Sequence, residues 1–177
     1  RQTIMLAGRV AGSAPFGWLG VHPDLRNHLR TTVTRLGGTG LPDYAGRFDE
    51  VDALTAYVEG MPGPTLAGAA VEPGHSALVA RGHALFNDSA QGCAACHLGA
   101  GGTDASTHDV GSSVGADRGV LFDTPSLHFV GGTAPYFHDG RYASLEALLA
   151  GADGKMGHTL QLSHRDVAAM RAYLETL

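Results

Sequence analysis

Cys93-Ala94-Ala95-Cys96-His97 is the stretch that decides how this chain folds. Two cysteines three residues apart, followed at once by a histidine, put both sulfurs on one face of a helical turn with the imidazole beside them. That arrangement suits covalent attachment of haem c. Each thiol forms a thioether with a porphyrin vinyl group, and His97 supplies the proximal nitrogen to iron. Cys93 and Cys96 are the only cysteines in the chain. A zinc ribbon needs a second Cys or His pair, and a thioredoxin-like redox motif needs a βαβ context that the flanking sequence lacks. A structural Cys-x-x-Cys disulfide beside an unrelated histidine is the competing reading.

The rest of the composition is consistent with a loop-rich chain folded around such a group. A length of 177 residues suits one large domain or two small ones. A net charge of -5 and a pI near 6.0 leave no basic footprint, so nucleic acid is not an expected partner. Aromatics are 7% of the chain while glycines number 26, which implies many turns and close backbone approaches. A covalent porphyrin would supply the large apolar surface that such a chain needs. No apolar run has transmembrane length, and no secretory signal stands at Arg1. The start without a Met points to a processed protein or an excised domain, and haem c attachment points to the periplasm or the cell exterior.

Residues 1–61 and 123–177 resemble each other. Ala14-Pro15-Phe16-Gly17-Trp18-Leu19-Gly20 aligns with Ala134-Pro135-Tyr136-Phe137-His138-Asp139-Gly140 at an offset of 120. The register continues through Leu25 and Leu145 to Leu36-Gly37-Gly38-Thr39 opposite Met156-Gly157-His158-Thr159. Val51 to Glu59 then aligns with Val167 to Glu175 at an offset of 116, a change that one shortened loop explains. Residues 1–61 therefore read as the second part of a cytochrome-like domain without its own haem motif. Residues 62–74, bracketed by Pro62-Gly63-Pro64 and Pro73-Gly74, read as a linker, and 75–177 as a mono-haem domain.

Within 75–177, Leu78, Val79, Leu85 and Phe86 share a helical stripe with Gly82, a glycine that lets another helix approach closely. The last helix supplies that partner. Ser163 with Asp166 forms a capping pattern, and Val167, Met170, Tyr173, Leu174 and Leu177 follow at helical spacing. The Gly/Ser/Asp-rich stretch from Leu98 to Leu121 is too long for an idle loop and is expected to wrap the porphyrin edge.

Ten histidines and four methionines compete for the second axial position. Met156 is the first choice, because it sits in a glycine-flanked loop before the last helix and is replaced by Leu36 in the half without a haem motif. His158 and His138 are the alternatives, followed by an open position. Trp18, the only tryptophan, is either a packing anchor or an aromatic placed between two redox centres.

In their order and spacing, several motifs resemble the bacterial di-haem cytochrome c peroxidase and MauG family. They are Arg81-Gly82-His83-Ala84-Leu85-Phe86, the Cys93–His97 motif, His108-Asp109-Val110-Gly111, Phe122-Asp123-Thr124-Pro125-Ser126-Leu127 and Thr133-Ala134-Pro135-Tyr136-Phe137-His138-Asp139-Gly140. The resemblance implies two all-α cytochrome domains, the first reacting with peroxide and the second relaying electrons, with this chain containing the second. It implies His97 and Met156 as iron ligands, Trp18 as the inter-haem tryptophan, and calcium held partly by carbonyls of Thr133 and Pro135. The asparagine that completes the calcium site belongs to the region absent from this chain. His128 stands where the family often has an arginine, which weakens the contact that arginine makes with a haem propionate.

The expected fold class is thus all-α, with Thr124, Pro125 and Leu127 lining the haem pocket. The expected function is electron transfer through one covalent haem, with a redox partner protein or an upstream haem domain as partner. The rival is peroxidase or MauG-like oxidase activity in this chain or its longer parent. A third reading is an interaction domain whose haem is structural.

Overall fold

The computed structural model describes residues 3–38, 48–64, 74–99 and 101–177. Most of the expected linker, residues 65–73, and Thr39 of the repeat lie outside them. The described elements are mainly helical: α1 (Leu25–Arg35), α2 (Phe48–Glu59), α3 (His75–Phe86), α4 (Leu145–Gly151) and α5 (His164–Leu174). Two-residue strands β1 (Thr107–His108) and β2 (Phe122–Asp123) pair antiparallel, with Thr107 opposite Asp123 and His108 opposite Phe122. They are the one departure from an all-α pattern among the described residues. No helix of the described residues is long and apolar enough to cross a membrane.

The crossing of α3 and α5 forms the centre of the larger core. Gly82 is buried on α3, and a side chain there would run into the Ala169 carbonyl and the Cβ of Tyr173. The missing Cβ lets the two backbones meet. Ala169 and Met170, both fully buried, fill the contact with Leu85, Phe86 and Leu174. Tyr173 adds ring contacts to Phe86 at 5.4 Å and His83 at 5.2 Å. At the start of α5 the expected cap is present: Ser163 Oγ accepts from the Asp166 N–H at 3.2 Å. Asp166 in turn pairs with Arg81 of α3 at 2.8 Å.

The sequence repeat has a counterpart in the backbone. Phe16 bridges His22 as Tyr136 bridges Tyr142, and both bridges run antiparallel at the offset of 120. Each leads into a helix capped by a side chain. Asp24 accepts from the Asn27 N–H ahead of α1, and Ser144 accepts from the Ala147 N–H ahead of α4. The turn between needs a positive φ, supplied by Gly17 at 86° in the first copy and adopted by Phe137 at 70° in the second. The first copy has a small core of its own, in which Val10, Leu25, Leu29 and Val58 are buried against Leu6, Phe16, Leu54 and Met61.

The two halves meet along the loop that follows β2. The Asp123 N–H donates to the Trp18 carbonyl at 3.0 Å, and the Arg9 guanidinium donates to the Ser126 carbonyl. Residues 3–18 thereby form part of the wall of a cavity whose other walls belong to residues 92–157.

Candidate haem-binding site

The motif folds as a single 3₁₀ turn, Cys93–Ala95, rather than as part of an α-helix. Gly92, with φ 75°, opens the turn, and the His97 N–H closes it on the Cys93 carbonyl at 3.1 Å. Both thiols are free, Cys93 buried and Cys96 half-buried, so the motif is not a disulfide in this structure. Burial raises the pKa of both. A protonated thiol is what a thioether-forming addition to a vinyl group starts from.

His97 is held as a metal ligand should be. Its Nδ1 lies 3.0 Å from the Gly102 carbonyl oxygen. Donation of Nδ1–H to that oxygen fixes the tautomer and leaves the Nε2 lone pair for a metal. Burial lowers the imidazole pKa, against the opposing pull of the Gly102 carbonyl, so the ring is kept in the neutral form that ligates.

Met156 reaches the same place from another part of the chain. Its loop is fastened to the motif's loop, because the His158 N–H donates to the Gln91 carbonyl at 2.8 Å. Gly157, with φ 130°, lies so close to that carbonyl that any side chain would collide with it, and its Cβ position is 3.5 Å from Cys93 Sγ. Thus the attachment turn and the methionine loop form one packed unit.

These residues surround a cavity of about 530 Å³, within the size range of cofactor pockets. Cys96, His97, Thr124, Pro125, Leu127, Met156, Trp18 and His138 all line it. Cys93 lines a smaller space of about 60 Å³ that shares His97, Leu127 and Met156 with the first. The smaller space is backed by Phe86, Leu149, Met170 and Leu174 of the core. A flat apolar group seated here would complete the core of the larger half. His108, Asp109, Val110 and Ser112 of the long glycine-rich stretch also stand on the wall.

The alternatives for the second axial position are placed differently. His158 is exposed and lies off the cavity wall. His138 is only 1% exposed and does line the cavity, but its ring is already engaged. It stacks on Phe122 at 3.9 Å, with Nδ1 3.3 Å from Ser112 Oγ and Nε2 3.5 Å from Asp117 Oδ2. Trp18 stands edge-on to His138 at 6.3 Å, so Trp18, His138 and Phe122 form a continuous aromatic group on the wall.

Two further charged residues stand on the wall. Asp123 is 8% exposed, and its Oδ1 is buried without a hydrogen-bond partner. Burial, reinforced by the nearby Asp104 carboxylate, pushes its pKa up to about 7. Arg9 Nε is likewise buried and unpartnered. Cys96, Asp104 and His108 bring three donor atoms within 4.8 Å of one another. His108 Nε2 and Asp104 Oδ2 already pair at 2.7 Å, and three donors fall one short of a closed structural zinc set. For Asp104, burial alone would raise the pKa, but hydrogen bonds from His108, Thr124 and the Ser106 N–H outweigh it and lower the pKa.

A mainly helical chain with a Cys-x-x-Cys-His turn, a half-buried neutral histidine and a methionine loop on one cavity has the fold of the MauG-like cytochromes. Two solved structures share it. A chain of hydrazine synthase from Kuenenia stuttgartiensis superposes with a TM-score of 0.72 at 20% identity, covering 97% of this chain and 70% of that one. A MauG-like protein associated with microbial copper homeostasis superposes with a TM-score of 0.74 at 16% identity, covering 100% of this chain and 73% of that one. At such identities the likeness is one of fold. In sequence, the chain is 37% identical over 119 residues to the methylamine utilization protein MauG of Methylorubrum extorquens. That match covers 55% of this chain and 33% of MauG, so it spans about a third of MauG's length. No family model matches. The chain is thus similar to MauG in sequence over that stretch and to a MauG-like protein in fold.

Proposed function

We propose that the chain is a c-type cytochrome module that carries one covalent haem and passes electrons through it. The observation that carries this reading is the packed unit of the Cys93–His97 turn and the Met156 loop, which brings the Cys96 thiol, a neutral imidazole and a thioether to one cavity and the Cys93 thiol to the smaller space adjoining it. When bound, haem c supplies an iron that changes oxidation state by one electron. Cys93 and Cys96 would anchor the porphyrin, and His97 and Met156 would ligate its iron. Thr124, Pro125 and Leu127 pack against the macrocycle. Outer-sphere transfer requires the protein to keep both ligands fixed and to exclude water from the iron. The Gly102 carbonyl fixes His97, and the Gln91 carbonyl fixes the Met156 loop. Methionine ligation favours the ferrous state and raises the potential relative to two histidines. Trp18 offers an aromatic relay at the edge of the cavity towards an upstream haem domain or a partner protein, and the module works in the periplasm or outside the cell.

The experiment is optical. Haem-loaded oxidised chain should show a sulfur-to-iron charge-transfer band, and Met156→Ala should remove it while leaving the covalent haem in place. Rapid peroxide-dependent turnover by the isolated chain, with no such band, would overturn the reading in favour of a peroxidase or oxidase site. That second reading is supported by the similarity to MauG and requires an iron that opens to peroxide.

A further inference from the structure

Arg9 comes from the half of the chain that has no haem motif, yet it stands on the wall of the haem cavity. Its guanidinium donates to the Ser126 carbonyl, and its Nε is buried with no hydrogen-bond partner. No carboxylate among the described residues pairs with it. Burial alone lowers its pKa, and an arginine keeps its charge through such a change. A half-buried cation held by one neutral carbonyl is poorly compensated, and such a charge calls for an anion. Haem c brings two carboxylates, its propionates, into this cavity. His128 is not on the wall. The wall also carries Asp109, which would repel a propionate, and Lys155 as its other cation.

We infer that Arg9 pairs with a haem propionate, so that the N-terminal half supplies the charge contact that His128 does not. The guanidinium's planar set of donors suits a carboxylate. The inference rests on the haem reading above. It makes the first half of the chain part of the cofactor site rather than a neighbour of it. A positive charge near the porphyrin edge also stabilises the ferrous state, in which the iron carries one charge less.

The test uses the haem-loaded full chain as Arg9→Gln and Arg9→Lys. Covalent haem content and the sulfur-to-iron band report on the haem reading. The propionate bending mode in resonance Raman spectra and the midpoint potential report on Arg9. Arg9→Gln should keep the haem and the band, shift the propionate mode and lower the potential, and Arg9→Lys should restore most of the potential. An unchanged propionate mode and potential in Arg9→Gln would overturn the inference. So would a loss of thermal stability common to both variants with the propionate mode unchanged, since that marks a purely structural link to Ser126. An unsubstituted chain that takes up no covalent haem would instead overturn the haem reading, and the inference with it.

Discussion

At Asp123 the cavity wall holds a carboxyl group that burial keeps protonated up to about pH 7, and this has a direct thermodynamic consequence. In the unfolded chain an aspartate loses its proton near pH 4. Between those limits the folded state binds more protons than the unfolded one, so this group's contribution to stability falls as pH rises from about 4 to 7 and is level above that. Asp123→Asn removes that slope. Thermal unfolding of the haem-loaded variant should match the parent near pH 4, exceed it by a growing margin up to about pH 7 and hold that margin above it. A margin that is constant with pH would show that Asp123 does not titrate in this range. Arg9 was not legible in the sequence, because it looks like an ordinary surface charge until the tertiary fold buries it, and Asp123 stood out only as a member of the Phe122–Leu127 motif, with nothing to mark its buried carboxyl. Cys93, Cys96 and His97 were legible because attachment chemistry dictates both residue type and spacing. Met156 was legible for a weaker reason, its place in a glycine-flanked loop ahead of the last helix. The structure places it on the same cavity as His97.

Helices α3 and α5 show how one glycine sets the geometry of a pair of elements. The Ala169 carbonyl occupies the space that a side chain at position 82 would need. Gly82→Ala therefore forces the helices apart and should destabilise the chain by about 1–3 kcal/mol or more, measurable as a lower denaturant midpoint with little change in slope. Phe86, Met170 and Leu174, which line the smaller space beside Cys93 and Met156, lie on these same helices, so the variant should also broaden the sulfur-to-iron band of the haem-loaded chain. Helix periodicity, the Ser163 cap and the glycine stripe made this crossing readable in advance. The β1–β2 pair was not readable, since two-residue strands show no alternation to detect. The 3₁₀ form of the attachment turn was hidden for a similar reason, because a single turn carries no period.

Across the whole molecule, the repeat provides more than a likeness between two segments. Its two copies share bridges, turns and capped helices at one offset, and the first copy contributes Trp18 and Arg9 to the cavity beside the second. The similarity to MauG and the structural likeness to a MauG-like protein fit that arrangement. The central claim is that this architecture exists to hold one haem by two thioether bonds between His97 and Met156. The most direct measurement is the intact mass of the chain produced in a host that matures c-type cytochromes, followed by acid–acetone extraction. The account expects the mass of the chain plus one haem, with the colour retained by the protein after extraction and lost when both Cys93 and Cys96 are replaced by serine. A chain of unmodified mass, or a haem that extracts freely from the unsubstituted protein, would contradict it.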